Sequence, residues 1–226
     1  MNAREICFTL IQICRHSIGA FRNGRNGIGD FVLLRDALDP KQIQRLETLC
    51  AINSDTRKID AEKVEERYVF DICEDFIEDI LEIPAVEKII KHFVPEPSPH
   101  HFMRNLIVQS SNITGSGGGW HRDSFEPQIK LFIPLVDTNA ENGALQYVRG
   151  SSGTLAKLRD LLIGRRQSRN FSPSDFDVLE LKRGDLAVVN TSGIHRGGPA
   201  KVIGRDMVTI YFNETFEKLN NDVKDL

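Results

Sequence analysis

Between residues 102 and 213 the chain offers a series of short apolar runs: FMRNLIVQ, IKLFIPLV, ALQYV, VLEL, LAVVN and MVTIYFN. Each is bounded by Gly, Pro, Asn, Asp or Ser. The runs are too short for stable helices and rich in β-branched and aromatic residues, so they read as strands. Many short strands must pair and then bury a face against each other, which restricts this half to a sandwich or barrel. One helical insert, TLAKLRDLLIG, followed by the basic loop RRQSRN, interrupts the series.

The part before residue 101 has a different texture. Residues 4 to 20 place Ile6, Leu10, Ile13 and Cys14 near one helical face. FRNGRNGIGD then breaks the chain, and FVLLRD reads as a short strand. LDPKQIQRLETLC carries helix-start signals, with Asp39 as N-cap, Pro40 at the first helical position and Gln42 completing a capping box. Ile72, Phe76, Ile77 and Ile80 form one helical stripe; Val86, Ile89, Ile90 and Phe93, between Pro84 and Pro95, form the next. The predicted fold class is α+β with a mainly β core. Helices cover one face of it, in a single domain over residues 1–226 with 1–28 as an N-terminal helical extension.

Hydrophobic residues make up 40% of the chain and charged ones 27%, enough apolar material for one sizeable core. The net charge of −3 provides no basic field, so nucleic acid is not an expected partner. The run Ile6–Ile13 is interrupted by Thr9 and Gln12, so neither a membrane span nor a signal peptide is expected. Cys7, Cys14, Cys50 and Cys73 form no CxxC pair. They read as reduced thiols of a cytoplasmic protein rather than metal ligands. Nothing here defines an oligomeric state.

Chemistry concentrates at GSGGGWHRDS, where three glycines lead into the only tryptophan, then His121 and Asp123. Residues i and i+2 of an extended chain share a face, so both side chains can address one ion. His195 lies in the Gly-rich turn NTSGIHRGGP after the buried-type strand LAVVN. Two histidines and one carboxylate compose the facial triad of non-haem iron(II) oxygenases. Zinc uses the same ligand types, so composition leaves the metal open.

Four motifs in order then carry a resemblance: GDFVLLRDALDPKQIQRL, GGGWHRDS, ENGALQYVRGSS and GDLAVVNTSGIHRGGPAKVIGR. Over roughly residues 29 to 214 the sequence resembles the phytanoyl-CoA dioxygenase family of iron(II)/2-oxoglutarate-dependent oxygenases. The resemblance implies a double-stranded β-helix (jelly roll) and a metal triad of His121, Asp123 and His195. It implies iron(II) as cofactor, and 2-oxoglutarate and O2 as co-substrates. Arg205, ten residues after His195, would hold the outer carboxylate of 2-oxoglutarate. The implied activity is hydroxylation of an unactivated C–H bond, with release of succinate and CO2. One departure is visible: Ser152 stands where the family's signature commonly has a histidine.

Strand parity adds candidates. In IKLFIPLV, Ile129, Leu131 and Ile133 share the core face, while Lys130, Phe132 and Pro134 share the other. A lysine inside an apolar strand needs an anion, so Lys130 is a candidate for the co-substrate, Phe132 for the wall beside it and Gln109 for its inner carboxylate. Arg22, Arg25, Arg104, Arg122, Arg196, Arg165, Arg166 and Arg169 would suit an anionic small molecule if they flank the cavity; as solvated surface charges they would not. The expected substrate is a small polar metabolite. The expected covers of the site are the Gly-rich segment 115 to 119 and the basic insert around 164 to 170. A jelly-roll metal-dependent isomerase or a non-redox binding protein is the alternative, disfavoured by Arg205 together with Lys130.

Overall fold

The structure is a computed structural model that describes residues 30–52, 58–62, 65–70, 74–93, 98–107, 111–114, 119–125, 128–163 and 170–213. The expected helix over 4–20, Gln109, and most of the two expected covering segments lie outside the described residues. So do Arg22, Arg25, Arg165, Arg166 and Arg169. None of the described helices is long and apolar enough to cross a membrane.

The strands are β1 (Phe31–Leu34), β2 (Lys58–Glu62), β3 (Glu65–Phe70), β4 (Ser98–Ile107), β5 (Ser111–Thr114), β6 (Gln128–Pro134), β7 (Leu145–Val148), β8 (Phe176–Leu179), β9 (Leu186–Asn190), β10 (His195–Gly197), β11 (Pro199–Ala200) and β12 (Asp206–Asn213). The helices are α1 (Pro40–Ile52), α2 (Glu74–Leu81), α3 (Pro84–Phe93) and α4 (Thr154–Leu162). Seven strands form one sheet in the order β1-β9-β6-β12-β4-β3-β2; β10-β7-β8 and β11-β5 form two smaller ones. The pairings are antiparallel. The fold is thus a mixed helical and antiparallel β structure, as the change of texture along the chain predicts.

Helix α1 starts as its sequence dictates. Asp39 Oδ1 accepts from the backbone N–H groups of Lys41 and Gln42, and Gln42 Oε1 accepts from that of Asp39. These bonds satisfy donors that a helix N-terminus otherwise leaves orphaned. The stripes of α2 and α3 bury Phe76, Ile77, Ile80, Val86, Ile89 and Ile90 against Ile129, Leu131, Ile133, Val188, Val208 and Ile210 of the large sheet. Each such side chain contributes roughly 1.5–3 kcal/mol on removal from water.

The opposite face of the large sheet meets the three-stranded sheet. Phe132, Ala187, Val189 and Met207 pack there with Tyr147 and Leu179. The parity of β6 is therefore resolved by packing: Ile129, Leu131 and Ile133 turn to the helices, and Lys130 and Phe132 turn to the space between sheets.

Two features go beyond the sequence expectation. The hairpin β2–β3 adds two strands to the helical half. Its sequences, KIDAE and EERYVF, carry too many charges to read as half-buried strands; pairing of β3 with β4 decides their state. Ser152, the departure from the family pattern, binds the start of β1: its Oγ donates to Asp30 Oδ1 at 2.5 Å, and the Gly150 N–H donates to Oδ2 at 2.5 Å.

Candidate metal centre

Residues 121–123 run alongside residues 191–195. His121 N–H donates to His195 O at 3.0 Å, His195 N–H to His121 O at 2.9 Å, and Asp123 N–H to Thr191 O at 3.2 Å. This short ladder brings together side chains that lie more than seventy residues apart in sequence. His121, Asp123 and His195 then present one ligand atom each, all within 4.8 Å of one another. Both His121 Nε2 to Asp123 Oδ1 and His195 Nε2 to Asp123 Oδ2 measure 3.5 Å. Donors on one divalent ion, at bonds of roughly 2.0–2.2 Å, sit about 3.0–3.4 Å apart, so the spacing suits an ion.

The rings are aimed by the backbone. His121 Nδ1 lies 2.8 Å from Gly119 O, and His195 Nδ1 lies 3.0 Å from Gly193 O. A carbonyl only accepts, so each Nδ1 carries a proton and each Nε2 is turned toward the cluster. Two glycines make this possible. Gly119 has φ 109°, a conformation side chains disfavour. A Cβ on Gly193 would fall 1.7 Å from the Tyr147 hydroxyl. That hydroxyl donates to Asn190 O at 2.7 Å, and the Tyr147 ring lies nearly parallel to His195 at 6.3 Å.

Charge is arranged to favour metal. Burial alone would raise the Asp123 pKa. The two imidazoles and the Lys130 ammonium beside it outweigh burial and hold the carboxyl well below the usual range. Burial pushes His195 down to about 4, so it stays neutral near pH 7. Lys130 Nζ lies 2.7 Å from Asp123 Oδ2, yet the pair lacks hydrogen-bond geometry, and buried Oδ2 keeps its lone pairs for another partner. The ammonium also sits 4.0 Å above the Tyr211 ring.

The remaining sequence candidates are placed as follows. Phe132 packs between the sheets. Arg205 is buried at the entry to β12 and reaches the small sheet, where Nη1 donates to Gly143 O at 2.6 Å. Lys130 on β6 lies opposite Tyr211 on β12, six residues beyond Arg205, so the two cations stand toward opposite ends of the interior. Trp120 is core, packed with Val148, Ile194, Phe171 and Phe176.

Three of the candidate arginines are occupied by the fold. Arg104 forms a bidentate pair with Asp206, Arg122 is buried against Asp160, and Arg196 stacks 4.2 Å over Trp120 while donating to Gln146. Sequence reasoning missed Tyr147 and Tyr211. Parity on β12 carried the signal for Tyr211, which lies on the same face as Arg205.

No curated protein matches the chain. Among solved structures, it is similar to the non-haem alpha-ketoglutarate-dependent epimerase SnoN from nogalamycin biosynthesis. The identity is 14% and the TM-score 0.61, with 89% of this chain and 83% of that one covered. It is also similar to HygX from Streptomyces hygroscopicus, solved with nickel, 2-oxoglutarate and hygromycin B, at 14% identity and TM-score 0.60, covering 83% and 84%. At such identities the likeness concerns the fold. The model of the phytanoyl-CoA dioxygenase family, an iron(II)/2-oxoglutarate-dependent family, matches residues 31–201. With that match spanning most of its length and the ligand cluster inside it, this chain belongs to the phytanoyl-CoA dioxygenase family.

Proposed function

We propose that the protein is an iron(II)/2-oxoglutarate-dependent oxygenase that hydroxylates a C–H bond of a small polar metabolite. The convergence of His121, Asp123 and His195 carries this reading. We read the facing sheets as a double-stranded β-helix and residues 1–226 as one domain. The donor set fits iron(II): two imidazole nitrogens and one carboxylate with a buried oxygen lacking an aligned hydrogen bond. Iron(II), 2-oxoglutarate and O2 together supply the oxidising power for C–H cleavage, with succinate and CO2 as by-products.

The chain's own residues position and shield. His121 and His195 offer Nε2, and Asp123 offers a carboxylate that stays ionised. Arg205 receives the outer carboxylate of 2-oxoglutarate through a guanidinium that remains charged even when buried. Lys130 sets positive charge beside the inner end, and Phe132 supplies an apolar wall that excludes water. Gln109 is assigned to the inner carboxylate on sequence grounds alone. Arg104 and Arg122 are committed to internal carboxylates and Arg196 to Trp120 and Gln146, so these three do not favour an anionic substrate over a neutral polar one.

Under nitrogen, protein with iron(II) and 2-oxoglutarate should show a weak visible charge-transfer band. With a metabolite library in air, succinate release should identify the substrate. No band, together with no 2-oxoglutarate affinity by calorimetry, would rule the reading out. The likeness to SnoN supports stereoinversion as a second outcome on the same site; isotopically labelled O2 separates the two, because hydroxylation alone carries label into product.

A further inference from the structure

Arg122 stands between two residues of the metal triad and points away from them. Its side chain is among the most buried in the molecule, and it is fully engaged. Nη1 donates to Ser192 O at 2.5 Å and to Ser151 O at 2.6 Å. Nε and Nη2 donate to Asp160 Oδ2 at 3.2 and 2.7 Å. Four segments therefore meet on one guanidinium: the ligand turn 121–123, the turn leading to His195, the turn after β7, and helix α4. Ser151 Oγ adds a second tie to the same turn by accepting from the Ile194 N–H at 2.7 Å. Phe125, two residues after Asp123, packs with Leu161 and Leu158 of α4, so the helix lies against the ligand turn.

Resting on the metal reading above, we infer that Arg122, held by Asp160, is a positioning residue that sets the spacing between the two ligand-bearing segments. The chemistry of the group supports this role. A guanidinium is a planar fork with five donors; it can satisfy a carboxylate on one edge and two carbonyls on the other. A lysine in its place keeps the charge opposite Asp160 but offers three donors from one point, too compact to span both carbonyls. The backbone ladder fixes the two segments on one side, and Arg122 fixes them on the other. Without it, the turn 192–194 keeps its bonds to Val148, Ser151, Asn190 and Lys157, but the side-chain tie from the ligand turn to Ser192 O is lost and the spacing from His195 Nε2 to Asp123 is held by the backbone ladder alone. The insert helix α4 thereby becomes part of the support of the metal centre.

Cobalt(II), with its visible d–d bands, is the probe. Wild-type protein should bind it with a single, well-defined spectrum. In R122L/D160L the buried ion pair is replaced by apolar groups, a change that commonly preserves stability. The metal-free melting temperature should stay near that of the wild type, while cobalt affinity falls about tenfold or more and the bands broaden. R122K should show the same loss of affinity, and it serves as the deciding variant if the double variant does not fold. Native affinity and native bands in either folded variant would overturn the inference and leave Arg122 as a purely structural residue. A wild-type protein that binds no cobalt would instead remove the metal reading itself, and this role with it.

Discussion

His195 loses its proton because of where it sits, and the consequence can be measured without metal. Burial lowers its folded pKa from 6.5 to about 4. Between those values the unfolded chain binds a proton here and the folded chain does not. The contribution to stability is complete above pH 6.5 and is lost as pH falls toward 4, by up to about 3 kcal/mol. Chelator-treated wild type should therefore lose melting temperature across this window more steeply than His195→Ala. The two ends of the interior should also separate. His195→Ala should lose iron(II), because two remaining donors hold it poorly. Arg205→Ala should retain iron(II) but weaken 2-oxoglutarate by roughly 2–5 kcal/mol, since a buried carboxylate loses its partner. Calorimetry of each variant with each ligand checks this, and normal co-substrate affinity in Arg205→Ala would refute the assignment of that arginine. Arg205 is marked as a site residue in the sequence only by the family resemblance. Tyr211 follows from parity once the direction of β12 is known.

At the scale of elements, local rules hold where the chain is short-range in character. The α1 cap is an example: Asp39, Pro40 and Gln42 do what their order predicts. Asp39→Ala should cost about 1 kcal/mol in urea denaturation, with α1 still formed because its apolar face is packed under the sheet. Gly193 belongs to a tighter constraint. A methyl group there collides with Tyr147, whose ring lines His195, so Gly193→Ala should weaken metal binding and lower the melting temperature together. The strands β2 and β3 are the contrary case. Their charged sequences carry no strand signal of their own, and backbone pairing along β4 supplies the stability that side-chain pattern does not.

Across the whole molecule, the described residues cover the centre of the large sheet on both faces. β9, β6 and β12 lie between the helices and the small sheet, while β2 is an outermost strand. Native-state hydrogen exchange should rank the amides accordingly: slowest in β6 and β12, fastest in β2. Uniform protection across the sheet would mean that edge and centre open as one unit. The same layering explains the dual character of β6. One face of a single strand supplies Ile129, Leu131 and Ile133 to the helix-covered core, and the other supplies Lys130 and Phe132 to the interior beside the triad.

What the sequence by itself determined about this protein is what depends on near neighbours or on pattern. That includes strand and helix periods, the α1 cap, the two faces of IKLFIPLV, and the pairing of His121 with Asp123 at i and i+2. The ordered motifs also disclosed the family. The tertiary structure alone decided what depends on distant segments meeting. It joined residues 121–123 to 191–195, turned Lys130 onto Asp123 and Tyr211, and tied Arg104 to Asp206 and Arg122 to Asp160. An arginine in a sequence carries charge and donors but no direction. Burial then requires that each donor find an acceptor, and which acceptors lie within reach is a property of the assembled fold.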